Sequence, residues 1–193
     1  MIIKSVEEAR HCIAVFGLET QGFNLSLLLN NINDLSRETS VTIQLFDSSL
    51  IASWEHLFFS ALNALRAFNY GKNISNNLSV ECLLYASGQR QINVAVKNLG
   101  VNPHTRNIAV ILIGNVTGAL HEVYKKVLLI TKGVENEGVL LISNKEKFDK
   151  IRNFFQITET ELNTICDSDE WSSCVNALTR YCIDRSSLLI LQK

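Results

Sequence analysis

Residues 41–113 read VTIQLFDSSLIASWEHLFFSALNALRAFNYGKNISNNLSVECLLYASGQRQINVAVKNLGVNPHTRNIAVILI, and the order of patterns along them decides the fold. Val41, Ile43 and Leu45 alternate through a β-branched run ending at Phe46, the pattern of a strand. From Trp54 to Asn69 the apolar residues Leu57, Phe58, Ala61, Leu62, Leu65 and Phe68 fall on one helical stripe. Ser53 stands at the N-cap of that helix, His56 at its third position, and Gly71 is placed to stop it. Leu78 to Ser87 reads as a second helix broken by Gly88. Gln89 to Leu99 reads as a third, with Ile92, Val96 and Leu99 inward and Gly100 at its end. Ile108 to Ile113 is apolar at every position, which marks a strand buried on both faces. Three helical segments between consecutive strands do not fit a regular doubly wound sheet.

Working outward, His11 to Phe16 reads as a strand, and Gly22 opens a helix carrying Phe23, Leu25, Leu28, Leu29, Ile32 and Leu35. On the other side, Leu120 to Thr131 is helical, Gly133 to Gly138 a turn, Val139 to Ile142 a fourth strand and Asn144 to Phe155 a helix. Thr158-Glu159-Thr160-Glu161 has capping-box spacing, and a last helix runs from Asp169 to Asp184 with Trp171, Val175, Leu178 and Cys182 on its stripe. The expectation is α/β (α+β): about four strands packed by six to eight helices, with residues 1–193 as a single domain. The apolar share of 47% and charged share of 19% fit a globular chain and exclude a disordered or fibrous one. A mean hydropathy of +0.12 points either to a large core or to apolar surface kept for a partner.

The net charge of −1 hides an uneven distribution. Residues 1–60 carry three Lys+Arg against seven Asp+Glu; residues 61–110 carry five (Arg66, Lys72, Arg90, Lys97, Arg106) against Glu81 alone. A basic middle suits a phosphate backbone or an ordinary solvated face. The five cysteines, Cys12, Cys82, Cys166, Cys174 and Cys182, form no C-x-x-C pair, which argues against zinc-ribbon and thioredoxin chemistry. Cys166, Cys174 and Cys182 recur every eight residues and read as small buried hydrophobes; free thiols suit a reducing cytoplasm. No apolar run nears the roughly 18 residues of a spanning helix, so no membrane partner is expected. Phosphate-binding, zinc-protease and nucleophile-elbow motifs are absent, and His11, His56, His104 and His121 are scattered. Neither a metal nor a cofactor is expected.

The densest polar cluster is Ala86-Ser87-Gly88-Gln89-Arg90-Gln91. If Gly88 turns the backbone into a new helix, the N–H groups of Gln89, Arg90 and Gln91 lie free at its N-terminus, where anions bind. Arg90 adds a planar fork suited to phosphate, Gln89 or Gln91 can read a base edge or ribose, and Tyr85 could offer a stacking face. The competing reading is structural: Gly88 an N-cap, Gln91 its capping-box partner, Arg90 solvated.

The stretches Phe46-Asp47, His56-Leu57, Ala61 to Ala67 (ALNALRA) and Asn77 to Ile92 (NLSVECLLYASGQRQI) resemble the PRPK-binding protein family, subunits of the KEOPS (EKC) complex of archaea and eukaryotes. Ala-Ser-Gly-Gln-Arg-Gln-Ile at 86–92 is similar to the archaeal-type signature. The likeness is dense over residues 43–101, loose over 1–40, and holds in outline through the tail, with its short apolar strand, charged helix, Thr-x-x-Glu helix and last helix. Residues 114–137 are longer than the archaeal pattern, and nothing is carried onto them. The resemblance implies a small, mainly antiparallel sheet packed by helices. It implies a non-catalytic subunit of a complex that makes threonylcarbamoyladenosine in tRNA. Such a subunit binds the amino-terminal lobe of a small atypical kinase/ATPase and captures tRNA by its 3′ CCA end.

On that reading Ser87, Gly88, Gln89, Arg90 and Gln91 hold the RNA, with Arg66 and Lys72 extending the basic track. Leu188, Leu189, Ile190 and Leu191 either dock on their own domain or meet the kinase, and Tyr181 on the last helix is placed near that contact. The alternative is a small-molecule binding protein or enzyme that holds a phosphorylated metabolite at the Gly88 helix end.

Overall fold

The computed structural model describes residues 1–166 and 170–191. Among these, five strands and eight α-helices run in the order β1 (Ile2–Val6), β2 (His11–Thr20), α1 (Leu25–Thr39), β3 (Thr42–Asp47), α2 (Trp54–Asn69), α3 (Leu78–Ser87), α4 (Ile92–Leu99), β4 (Asn107–Gly114), α5 (Thr117–Thr131), β5 (Gly133–Glu135), α6 (Lys145–Phe154), α7 (Glu159–Ile165) and α8 (Trp171–Ser187). The α+β reading holds, and every strand pairing is antiparallel. The sheet order is β1-β2-β4-β3. β1 and β5 share the outer edge of β2: Ile2 lies opposite Val15, and Glu135 opposite Leu18.

Alternation along β2 and β4 explains the layering. Ile13, Val15, Ala109, Ile111 and Ile113 face one core with α2, α3, α4, α6 and α8. Ala14, Phe16, Leu18, Ile108, Val110 and Leu112 face a second core with α1 and α5. β4 is therefore buried on both faces, as its unbroken apolar run predicts. The three helices between β3 and β4 cover the first face. α3 lies inside that layer and is buried from Glu81 to Ser87, so its sequence carries little amphipathic signal.

The caps follow the sequence closely. Ser53 accepts from the His56 N–H at 3.2 Å, Asn144 from the Lys147 N–H at 2.9 Å, and Thr158 and Glu161 form a reciprocal capping box. The expected helix start at Asp169 lies outside the described residues.

Val139 to Ile142 is not a strand. Glu137–Leu140 is a 3₁₀ turn that lies against β2, and Val139, Leu140 and Ile142 are apolar because they pack into the core. Gly17 makes this possible: a Cβ there would stand 2.6 Å from the Asn136 carbonyl oxygen. Lys147 pins the segment by donating to the carbonyls of Val139 and Leu141 at 3.0 and 2.9 Å. Burial lowers that ammonium's pKa to about 8. Two elements escaped the sequence reading. β1 lies in the first residues, and β5 begins in the expected 133–138 turn.

Candidate functional site

Gly88 ends α3; it does not open α4. It adopts φ +60°, and its N–H and that of Gln89 close back on the carbonyls of Tyr85 and Leu84 at 3.1 and 3.2 Å. This is the left-handed C-cap that glycine permits. α4 begins at Ile92 with Gln91 as its N-cap, and the Gln91 side chain makes no cap bond. The expected row of three free amides is thus corrected, since the Gln89 N–H is committed to the turn. The capping-box role for Gln91 falls with it.

Ser87 is buried and donates its hydroxyl to the Leu84 carbonyl at 3.0 Å. Tyr85 is only 2% exposed, so it presents no stacking face; burial raises its pKa to about 12. Ile92 and Val96, expected inward, lie outward at 42% and 49% exposure, because Ala95 and Leu99 take the inner face of α4. Arg90 and Gln91 are exposed, and Gln89 is half-buried.

The structure brings the 87–91 loop and the C-terminal tail to one place. Arg90 Nη1 donates to the Leu189 carbonyl at 3.4 Å. A groove of about 380 Å³ opens beside it, lined by Gly88, Gln89, Phe155, Gln156, Arg185 and Leu188, among others. Arg185, Gln156 and Phe155 had no sequence signal. Arg185 reaches the groove because α8 packs on α2 through the Ser60–Ser186 and Asn63–Ser187 contacts, at 3.1 and 3.2 Å, and Phe155 and Gln156 come from the end of α6. Gln156 holds φ +54° just past α6, a left-handed turn that returns the chain along the groove. No lining residue is a carboxylate, cysteine or histidine. The Arg185 guanidinium, the Gln89 and Gln156 amides and an aromatic wall line it, with Arg90 beside them, a set that suits holding an anionic, planar ligand.

Beneath the groove, His56 is wholly buried. Its Nε2–H donates to the Ala86 carbonyl at 3.0 Å, and its Nδ1 accepts from the Ala52 N–H at 3.4 Å. Desolvation lowers its pKa to about 4, against the Ala86 bond. Glu81 is likewise buried, and its carboxylate accepts from the N–H groups of Ile74 and Ser75. Both groups brace α3.

Arg66 and Lys72 do not join the groove. Arg66 lies ten residues beyond His56 on α2, about 15 Å at the helical rise. It pairs with Glu8 at 3.3 Å. Lys72 stands past the far end of α2. The tail divides: Leu189 is buried in the core, whereas Leu188, Ile190 and Leu191 are exposed. Tyr181 gives its hydroxyl to the Glu161 carbonyl at 2.8 Å and meets the Thr164 hydroxyl at 2.8 Å. Arg185 binds Glu161 at 2.8 Å. The Glu161 carboxyl is held below its usual range first by Thr158, with Arg185 adding to the effect. α7 is thereby tied to α8.

Among the described residues, no three of His, Cys, Asp and Glu come together as a metal-ligand group, and no helix is long and apolar enough to cross a membrane.

An antiparallel sheet between two helical layers, with a groove where a glycine-capped helix meets a C-terminal helix, defines an α+β domain. The family described as kinase binding protein CGI-121 matches residues 24–186, and the chain belongs to that family. This agrees with the resemblance, which is dense over residues 43–101. No curated protein matches the chain.

Proposed function

We propose that this chain is the non-catalytic, archaeal-type subunit of a KEOPS complex. It acts as a single domain in the cytoplasm and uses no cofactor. It holds the small atypical kinase/ATPase subunit and the 3′ CCA end of tRNA, and so supports threonylcarbamoyladenosine modification. Family membership supports the kinase half of this reading. The observation that supports the RNA half is the groove beside the Arg90–Leu189 contact, where Gln89, Gln156, Arg185 and the Phe155 ring line one opening.

Single-stranded RNA is held by phosphate contacts and packing against flat groups. Arg90, Gln89 and Gln91 supply the contacts in this reading, with Arg185 beside them. Gly88 gives the backbone its turn. Ser87 acts from within, by fixing the end of α3. Arg66 and Lys72, at the far end of α2, would touch a more distant part of the same RNA. The kinase surface is the exposed tail, Leu188, Ile190 and Leu191, with Leu189 as its anchor and Tyr181 holding α8 in place.

The test is fluorescence anisotropy of intact tRNA against tRNA lacking its CCA end, at two salt concentrations. Intact tRNA should bind more tightly, and salt should weaken it. Arg90→Gln, which removes the charge but keeps a polar side chain, should cost about tenfold in affinity, and Arg90→Glu more. Equal binding of both RNAs, or unchanged affinity in both variants, sinks the assignment. Thermal stabilisation by a phosphorylated metabolite without selectivity for the CCA end would favour the small-molecule reading instead.

A further inference from the structure

We propose that Cys166 and Cys174 are a modification site: a dithiol pair that closes reversibly to a disulfide and staples the end of α7 to the first turn of α8. The inference rests on neither the kinase nor the RNA reading. The two sulfur atoms stand 3.1 Å apart, so about 1 Å of movement separates them from the disulfide bond length of about 2.05 Å. Their backbones are already placed by the helices. Cys166 is the C-cap of α7, with its N–H on the Leu162 carbonyl, and Cys174 closes the first turn of α8 onto the Glu170 carbonyl. Tyr181 and Arg185 hold the two helices together further along through Glu161. The pair therefore lies where α7 gives way to α8, and the opposite ends of the two helices are already fastened, so little chain entropy remains to be lost on closure.

Access separates these two thiols from the other three. Cys166 and Cys174 are partly exposed, whereas Cys12, Cys82 and Cys182 are buried. Burial pushes the Cys82 and Cys182 thiols up, away from the reactive thiolate. The oxidant is a low-molecular-weight disulfide of the glutathione class. One cysteine thiolate attacks it and releases the first reduced thiol. The second cysteine thiolate attacks the mixed disulfide on the protein sulfur and releases the other. Each cysteine loses one proton and one electron. The reagent disulfide takes up both and leaves as two thiols. The staple would fix α8, whose far end frames the groove.

The experiment incubates the full chain with oxidised glutathione, then denatures it and alkylates it for peptide mass mapping. Three alkylated cysteines and one linkage joining residues 166 and 174 are expected. Dithiothreitol should restore all five. The oxidised protein should melt about 5 °C higher than the reduced protein. Cys166→Ser and Cys174→Ser should each retain one glutathione adduct and show no such rise. Five alkylated cysteines after oxidation, separate adducts at both positions, a linkage through Cys182, or a linked protein with unchanged melting would each overturn the proposal.

Discussion

At the residue scale, His56 shows how a polar side chain can be a fold element rather than a catalyst. It is isolated from solvent, its two ring nitrogens are matched by a carbonyl and an amide, and its edge meets Phe155. The folded state holds it neutral, with the pKa lowered from 6.5 to about 4 by desolvation. The unfolded histidine therefore takes up its proton first as pH falls. Its contribution is complete above pH 6.5 and is lost progressively between there and about pH 4. The linkage is worth about 3 kcal/mol. Urea titrations at pH 7, 5.5 and 4.5 should show stability falling across that window, and His56→Gln should flatten the fall while lowering stability at pH 7. An unchanged slope in the variant would place the acid sensitivity elsewhere.

At the element scale, the junction between α3 and α4 was legible in part. Gly88 announced a break, but whether it closes one helix or opens the next is decided by φ, and a lone glycine serves both. The Leu84 and Tyr85 carbonyls claim its turn, so α4 begins at Ile92. Val139–Ile142 was misread because a four-residue apolar run looks alike in a ladder and in a core-packed 3₁₀ turn, and the deciding contact, Gly17 beneath Asn136, lies far away in sequence. Ile92 and Val96 were turned inward for a related reason: in an eight-residue helix two apolar faces compete, and tertiary packing chose Ala95 and Leu99. β4 and the Thr158 box were readable because central burial and capping leave local patterns. The cap makes its own prediction. Gly88→Ala has room, with its nearest neighbour the Arg185 carbonyl oxygen at 3.6 Å, but it must hold φ +60°. It should cost about 1–2 kcal/mol in urea unfolding, and Gly88→Asn should recover part of the loss. Equal stability of all three would mean that the turn is not held left-handed.

At the scale of the whole molecule, the two regions that the sequence set apart as RNA-facing and kinase-facing meet beside one groove, while the two basic residues expected to join them do not. The sequence could not show the meeting, because it follows from α8 lying on α2, whereas the distance of Arg66 and Lys72 follows from the length of α2. The tail then separates stability from association. Leu189 is buried, and Leu189→Ala should lower stability by about 2–5 kcal/mol through the cavity it leaves. Leu188, Ile190 and Leu191 are exposed, and replacing all three by Ser should leave the melting temperature nearly unchanged. If these three side chains are the kinase surface, the triple variant should lose at least tenfold in affinity for the kinase subunit by isothermal titration, since burying even one such side chain is worth about 1.5–3 kcal/mol. With the melting temperature unchanged, a kinase affinity equal to that of the parent chain would move the contact off the tail. Ile92 and Val96, an exposed apolar pair on α4, would then be the next face to test.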